Sequence, residues 1–519
     1  MQTSTAPAQA GAPADPVPAR RTFWLMFWLT LALKFALAAW FPLTGDEAFF
    51  IQWGKAPAWG YADHPPMVGW WLALLLQLGD SLLVLRSATV LVTSAIALGL
   101  VALARRALPA DREAAAWWAG AVYLAMPWSW LFVLVTTDTP LVFFLAVSMA
   151  CFVRAELAPR AAAWYALAGL FVGLAFLSKY FAALLGLAYA VYLLGWRRER
   201  WWALPWMFLF AAPSIALHLM FNATHGWVNV MFNLLNRHEQ AHLQWRTPLV
   251  YLLMAVYLFT PWLIWLARRR QTPAHALERV LLPLWLFPML VFAVFSLKRT
   301  VGLHWVLGFT PLFVLWCTLR LRPQTLRRVW RWTLGLSLPH LLLVAALLWS
   351  PLSWWKSSRL YEQLVFLREA AAVTQALERD LPPGAMLTAD GYSQAAVLSY
   401  FHGSFVSVHG VGRHYARQDD LQTDFRQWEG RRVRVFSFGP LSAAAHAAWF
   451  DHVSVHTLEI DGATFHVLDG EGFRFAPYRE QVLAEVARLY HRIPPWLPLW
   501  GSPFCERYGF TDCSPRPRP

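Results

Sequence analysis

Charge is what this sequence has least of. Asp, Glu, Lys and Arg make up only 14% of its 519 residues, against about 25% in a soluble protein. With 58% hydrophobic residues and a mean hydropathy of +0.40, the chain reads as a polytopic membrane protein. No glycine-rich phosphate loop and no Cys/His zinc spacing occurs, so the usual nucleotide-cradling and zinc-finger motifs are excluded. No repeat of fixed period is visible. No cleavable leader is expected, because the first apolar run is itself long enough to span. Cysteine is scarce as well, with four residues. Cys151 and Cys317 fall in apolar runs as small fillers. Cys505 and Cys513 could close a short disulfide if the C-terminal tail faces an oxidising compartment.

What the chain does have is length of apolar run. About eleven runs of roughly 15–22 residues fall near 22–43, 83–104, 114–135, 139–155, 162–177, 180–195, 202–221, 247–267, 280–296, 302–319 and 333–350. The formal net charge of +14 would suit nucleic acid if it formed a patch. Instead the basic residues sit in short loops, at Arg20-Arg21, Arg105-Arg106, Arg197-Arg198, Arg268 to Arg270 and Arg320 through Arg331. That is the positive-inside pattern, and it predicts a cytoplasmic N-terminus and no nucleic-acid partner. The alternation then puts 44–82, Thr136–Asp138, Ser178-Lys179, 222–246, Lys298-Arg299 and everything after about 351 on the outer face. Residues 1–21 are expected to be a disordered cytoplasmic segment and 22–350 a transmembrane domain. Residues 351–519 regain charge and show β-like runs at Ala385–Ala389, Arg432–Phe438, Val453–Ile460 and Thr464–Leu468, with helical periodicity near 361–380 and 440–450. They are expected to form a periplasmic α/β domain.

Ionisable side chains at a bilayer edge are costly, so they are functional candidates. Asp46 and Glu47 follow the first run directly, and Gly45 permits close backbone approach there. Asp63-His64 is held by Pro65-Pro66. Asp138 occupies the edge before the fourth run, as a helix cap, a ligand or both. Lys179 interrupts two apolar runs on a face where a lone lysine is disfavoured, which points to anion binding. Lys298, Arg299 and His304 repeat that argument at the turn between the ninth and tenth runs. Several cations about one site suit a departing phosphate. The loop from Asn222 and Trp227 through Arg237-His238-Glu239 is dense in polar and aromatic groups and fits either sugar binding or an interfacial belt. Lys34, inside the first run, is expected to meet an acid or a phosphate. His218 and His340 are expected to be hydrogen-bonded within the bundle. Clustered carboxylates could hold a divalent ion such as Mg or Mn through Asp46 and Asp138, although phosphate-facing cations would make one unnecessary.

In this order, Asp46-Glu47-Ala48, Tyr61-Ala62-Asp63-His64-Pro65-Pro66, Thr137-Asp138-Thr139-Pro140-Leu141, Leu177-Ser178-Lys179-Tyr180 and Asn222 with Gly226-Trp227 resemble the GT-C membrane glycosyltransferases. Among these, the chain resembles the family of protein O-mannosyltransferases and the aminoarabinose transferase that modifies lipid A. The resemblance implies a sugar donor on a polyprenyl phosphate, used at the periplasmic face of a bacterial inner membrane with inversion. It implies Asp46 as base, supported by Glu47, with Asp138 as the second acid. Lys179, Lys298, Arg299 and His64 would face the donor phosphate, while Tyr61, Asp63, Asn222, Trp227 and His304 would line the substrate site. The lipid A transferase carries lysine where this chain has His64, a pH-dependent cation. The acceptor, whether lipid, glycan or protein, therefore stays open. The rival readings are a transporter or flippase for the lipid-linked sugar, disfavoured because no repeat or midplane charge is seen, and an oligosaccharide ligase.

Overall fold

Every apolar run named above is helical in the computed structural model, which describes residues 15–236, 242–412, 418–511 and 513. The first helix, α1 (Pro16–Trp40), starts inside the stretch expected to be disordered. Asp15 caps it by accepting from the Val17 N–H at 2.9 Å, and Pro16 stands at its first position, where a missing N–H is harmless. The 44–82 segment is not a plain loop. It holds two short helices, α2 (Gly45–Lys55) and α3 (Met67–Leu76). Next come α4 (Leu82–Ala107) and α5 (Glu113–Ala125). The run at 114–135 breaks at Met126, because Pro127 disfavours helix in the residue before it and opens a separate turn, α6 (Pro127–Leu131).

Helices α7 (Asp138–Leu157), α8 (Ala162–Phe176), α9 (Ala183–Trp196) and α10 (Ala203–Thr224) follow. The turn α11 (Val228–Val230) continues as a π-helix through Leu235. Helices α12 (Arg246–Phe259) and α13 (Pro261–Arg268) meet at a 78° bend. Thr260 there has φ +55° and precedes a proline, which explains the break. Helix α14 (Ala276–Ser296) leads to a 3-10 segment over Leu303–Phe309, then α15 (Thr310–Arg320) and α16 (Pro323–Trp349). Among the described residues seven helices are long and apolar enough to cross a membrane, or eight if the bent pair is one span. The chain is a multi-pass membrane protein.

The C-terminal region opens with α17 (Tyr361–Arg368) and α18 (Ala370–Glu378). Its sheet has the order β2-β1-β3-β5-β4, built from β1 (Met386–Ala389), β2 (Ser407–Val408), β3 (Val433–Ser437), β4 (His452–Ile460) and β5 (Ala463–Glu471). Strand β1 is parallel to β2 and β3, so a crossover is needed, and α19 (Tyr392–His402) provides it. Strands β4 and β5 form a hairpin about Asp461 (φ +50°) and Gly462 (φ +77°), the Asp-Gly signature of a tight turn. One continuous apolar cluster joins Phe49, Phe50 and Trp53 of α2 to Val365, Val397 and Phe436 of the C-terminal region. That shared core seats α19 on α2. Cys505 and Cys513 are disulfide-bonded, and Cys151 and Cys317 are buried free thiols.

Candidate active site

Thr44 caps α2 in a reciprocal box with Glu47, each side chain meeting the other's backbone N–H at 3.4 Å. The cap fixes the first turn, and adjacent residues on a helix point about 100° apart. Asp46 therefore stays exposed toward a cavity while Glu47 is buried. Arg86 Nε and Nη2 donate to the two Glu47 oxygens at 2.9 and 2.7 Å, and the Val135 N–H adds a third bond at 3.0 Å. The rest of the Arg86 guanidinium holds the carbonyls of Ala38, Phe41 and Pro42 at the end of α1. Glu47 thus lies in the wall behind the cavity, not on its surface.

Asp138 begins α7 but makes no side-chain cap bond. Its two oxygens instead accept from Lys179 Nζ, each at 3.0 Å. The loop that carries His64 is tied to the lysine turn, since the Met67 N–H donates to the Leu177 carbonyl at 3.0 Å. His64 Nδ1 lies 3.0 Å from Asp63 Oδ2, and His304 Nε2 lies 3.8 Å from Asp138 Oδ2. Gly302 permits that histidine position, because a Cβ there would fall 2.7 Å from His304 Cε1. Asp46, His64, Asp138, Lys179 and His304 line one cavity of about 330 Å³ with Phe50 and Thr137. A second cavity of about 280 Å³ shares His64, Lys179 and His304 and extends to Asn233 and Trp305. A separate apolar groove among Leu100, Phe143, Met149 and Leu312 has Arg154 as its one charged lining residue and offers no acid–base pair.

The other candidates stand elsewhere. Asp63 is buried beside the cavity, with its carbonyl accepting from Asn233 at 2.6 Å. Tyr61 is stacked on Trp53 at 4.2 Å and donates to the Trp53 carbonyl at 2.9 Å. Burial pushes its phenol up to about 12, which suits a structural donor. Asn222 is buried, bonded to the His218 carbonyl and the Val230 N–H at 2.9 and 3.2 Å. Trp227 is buried with φ +54° and donates to the Pro498 carbonyl at 2.7 Å. Lys298 is exposed and Arg299 half-buried, and neither lines the two cavities. Lys34 meets the hydroxyls of Thr93 and Ser94 at 2.5 and 3.0 Å rather than an acid among the described residues. His218 pairs with the Tyr180 hydroxyl at 2.6 Å, and His340 with the Leu336 carbonyl at 2.7 Å. Arg237, His238 and Glu239 lie outside the described residues.

Two contacts escaped sequence reasoning. Arg86 is one of them, and its signal was there as an arginine inside an apolar run. The other is Tyr392, whose hydroxyl donates to Asp46 Oδ1 at 3.1 Å from 346 residues away, with no local signal at all. Burial, and then the Asp46 charge, push the Tyr392 phenol well above its ordinary range. As for a metal, no group of three or more His, Cys, Asp or Glu side chains among the described residues is placed to share one. Asp46 and Asp138 therefore do not make a divalent-ion site on their own.

Residues 63–223 match the family described as dolichyl-phosphate-mannose-protein mannosyltransferase. The lipid A galacturonosyltransferase RgtD of Rhizobium johnstonii is 33% identical over 157 residues, covering 30% of this chain and 32% of that protein. The match thus spans about a third of the curated relative's length. ArnT from Cupriavidus metallidurans superposes in its apo state with a TM-score of 0.60 at 17% identity, over 86% of this chain and 98% of ArnT. The same protein bound to undecaprenyl phosphate gives 0.59 at 16% identity, over 86% and 97%. At such identity the likeness concerns the fold. The chain has the fold of the GT-C membrane glycosyltransferases, and its segment from the Asp63-His64 loop through Asp138 and Lys179 to Ala223 is similar to the dolichyl-phosphate-mannose-protein mannosyltransferases.

Proposed function

We propose that this protein transfers a sugar from a polyprenyl-phosphate carrier to an acceptor hydroxyl at the outer face of a bacterial inner membrane. One observation carries this reading. An exposed carboxylate, Asp46, shares a cavity with the Asp138–Lys179 pair and the imidazoles of His64 and His304. The relative acting on lipid A and the ArnT structure holding undecaprenyl phosphate support a lipid acceptor and a lipid-linked donor.

In the mechanism, Asp46 takes the proton of the acceptor hydroxyl as its oxygen forms a bond to the anomeric carbon. The bond from that carbon to the phosphate oxygen breaks, and its electron pair leaves with the polyprenyl phosphate. Attack and departure on opposite sides of the carbon invert the anomeric centre. Lys179 meets the charge that develops on the phosphate, with the imidazoles of His64 and His304 beside it as hydrogen-bond donors. Asp138 restrains the ammonium, so little reorganisation is needed at the moment of bond breaking. No step is routed through a metal. The basic loops support a cytoplasmic N-terminus, with the cavity and the C-terminal domain periplasmic.

The test is turnover of radiolabelled polyprenyl-phosphate sugars by the protein purified in detergent. Asp46→Asn should lower the rate by about 100-fold or more while leaving the melting temperature unchanged. A rate equal to that of the unaltered protein would remove Asp46 from the base role.

A further inference from the structure

We propose that Tyr392, from the C-terminal domain, is a positioning residue for the Asp46 carboxylate, so that the membrane bundle alone holds an incomplete active site. This rests on the transferase reading above. Asp46 is an exposed side chain on the first turn of a short helix, free to rotate unless something holds it. The Tyr392 hydroxyl bond to Oδ1, 3.1 Å long, is the only hydrogen bond to that carboxylate among the described residues. The second oxygen is left to accept a proton. One lone pair tethered and one free is the arrangement a directed base requires.

The tether itself is firmly placed. Tyr392 opens α19, and its ring meets Phe49 of α2 edge-on with centroids 5.2 Å apart. Beside it, Ser393 lies so close to Gly45 that a Cβ there would fall 1.7 Å from the serine hydroxyl oxygen. About two turns on from these contacts, the Tyr400 hydroxyl donates to the Asp80 carbonyl at 3.0 Å. Helix α19 is thus fixed to the bundle at both of its ends. Burial keeps the phenol protonated through neutral pH, so it remains a donor throughout the range in which a carboxylate base would work.

The experiment compares the full-length protein with Tyr392→Phe, which keeps the ring against Phe49 and deletes only the hydroxyl. Donor KM, kcat and the melting temperature are measured for both. Among the described residues, the charged and titratable groups about Asp46 are Asp63, His64, Asp138, Lys179 and His304, and all of them are unchanged in the variant. The expected result is a fall in kcat of about 10-fold with donor KM and melting temperature unaltered. Equal kcat would overturn the inference while leaving the transferase reading intact. A fall in kcat accompanied by a lower melting temperature and a raised donor KM would also overturn it, assigning the hydroxyl to stability alone. Absence of transfer by the unaltered protein from every polyprenyl-phosphate sugar would overturn the enzymatic reading and this inference together.

Discussion

Arg86 closes on Glu47 through paired bonds of 2.9 and 2.7 Å, and both side chains are almost completely buried. The pair welds the end of α1 to the first turn of α2, because the same guanidinium holds the carbonyls of Ala38, Phe41 and Pro42. Removing one partner strands a charge, which costs about 3–5 kcal/mol, whereas removing both costs far less. Glu47→Gln and Arg86→Met should each lower the melting temperature sharply. The double variant should recover part of the loss. Arg86→Lys should fall between the unaltered protein and Arg86→Met, since an ammonium keeps the charge but cannot reproduce the fork. Thermal melts of the unaltered protein and the four variants decide the matter, and strictly additive losses would contradict a coupled pair.

Asp138 and Lys179 form the corresponding pair inside the cavity, at 3.0 Å through both oxygens. Here the prediction concerns binding as well as stability. Lys179→Met removes the cation proposed to face the donor phosphate and should raise donor KM and lower kcat together, by about 100-fold in kcat/KM. Asp138→Asn keeps the cation and loosens its restraint, so it should act chiefly on kcat. In a double-mutant cycle on kcat/KM the combined variant should lose less than the product of the single losses. Independent effects would mean that Asp138 acts on something other than Lys179.

Much of this was legible because lipid leaves a residue few options. An apolar run long enough to span has to be a helix, and an ionisable residue at its end needs a reason to be there. Asp46, His64, Asp138, Lys179 and His304 were visible on that ground, and the fold brings them to one cavity. The short helices α2 and α3 were hidden by the Pro, Gly and Trp residues around them. Without α2, nothing in the sequence distinguishes Asp46 from its neighbour Glu47, although one turns to the cavity and the other to Arg86. The strands β1, β3, β4 and β5 sit on the β-like runs because their alternation has a local cause. Tyr392 could not be found this way, since its meaning depends on the docking of α19 against a helix 346 residues earlier.

Chelation should leave transfer unchanged. The Asp138 carboxylate is engaged by Lys179 and that of Asp46 by Tyr392, and no third donor joins them among the described residues. A hard divalent ion takes about six oxygen ligands, more than these two groups provide. The check is turnover with excess EDTA against turnover with added Mg or Mn. A loss of more than about 10-fold that either metal restores would require donor phosphate and acceptor oxygens to complete a coordination sphere, and would shift the stabilising role from Lys179 to the ion.

The disulfide between Cys505 and Cys513 joins a separation of 8 residues in a tail that clasps the end of α10. Trp500 and Gly501 exchange backbone bonds with Ala223 and Gly226 at 2.9 and 2.8 Å, and Trp227 reaches the Pro498 carbonyl. In the chain-entropy account, a loop this short adds about 2–3 kcal/mol to the folded state. Reduction, or Cys505→Ser, should therefore lower the melting temperature by a few degrees and by the same amount. The bond also reports on orientation, because it persists only in an oxidising compartment. Alkylation of the unfolded protein without reductant should label only the two free thiols, Cys151 and Cys317, out of four cysteines. Labelling of all four would put the tail on the reducing side of the membrane. Since the tail, α10 and the Asn233 wall of the second cavity are bound together, that result would also move the proposed active site to the cytoplasmic face.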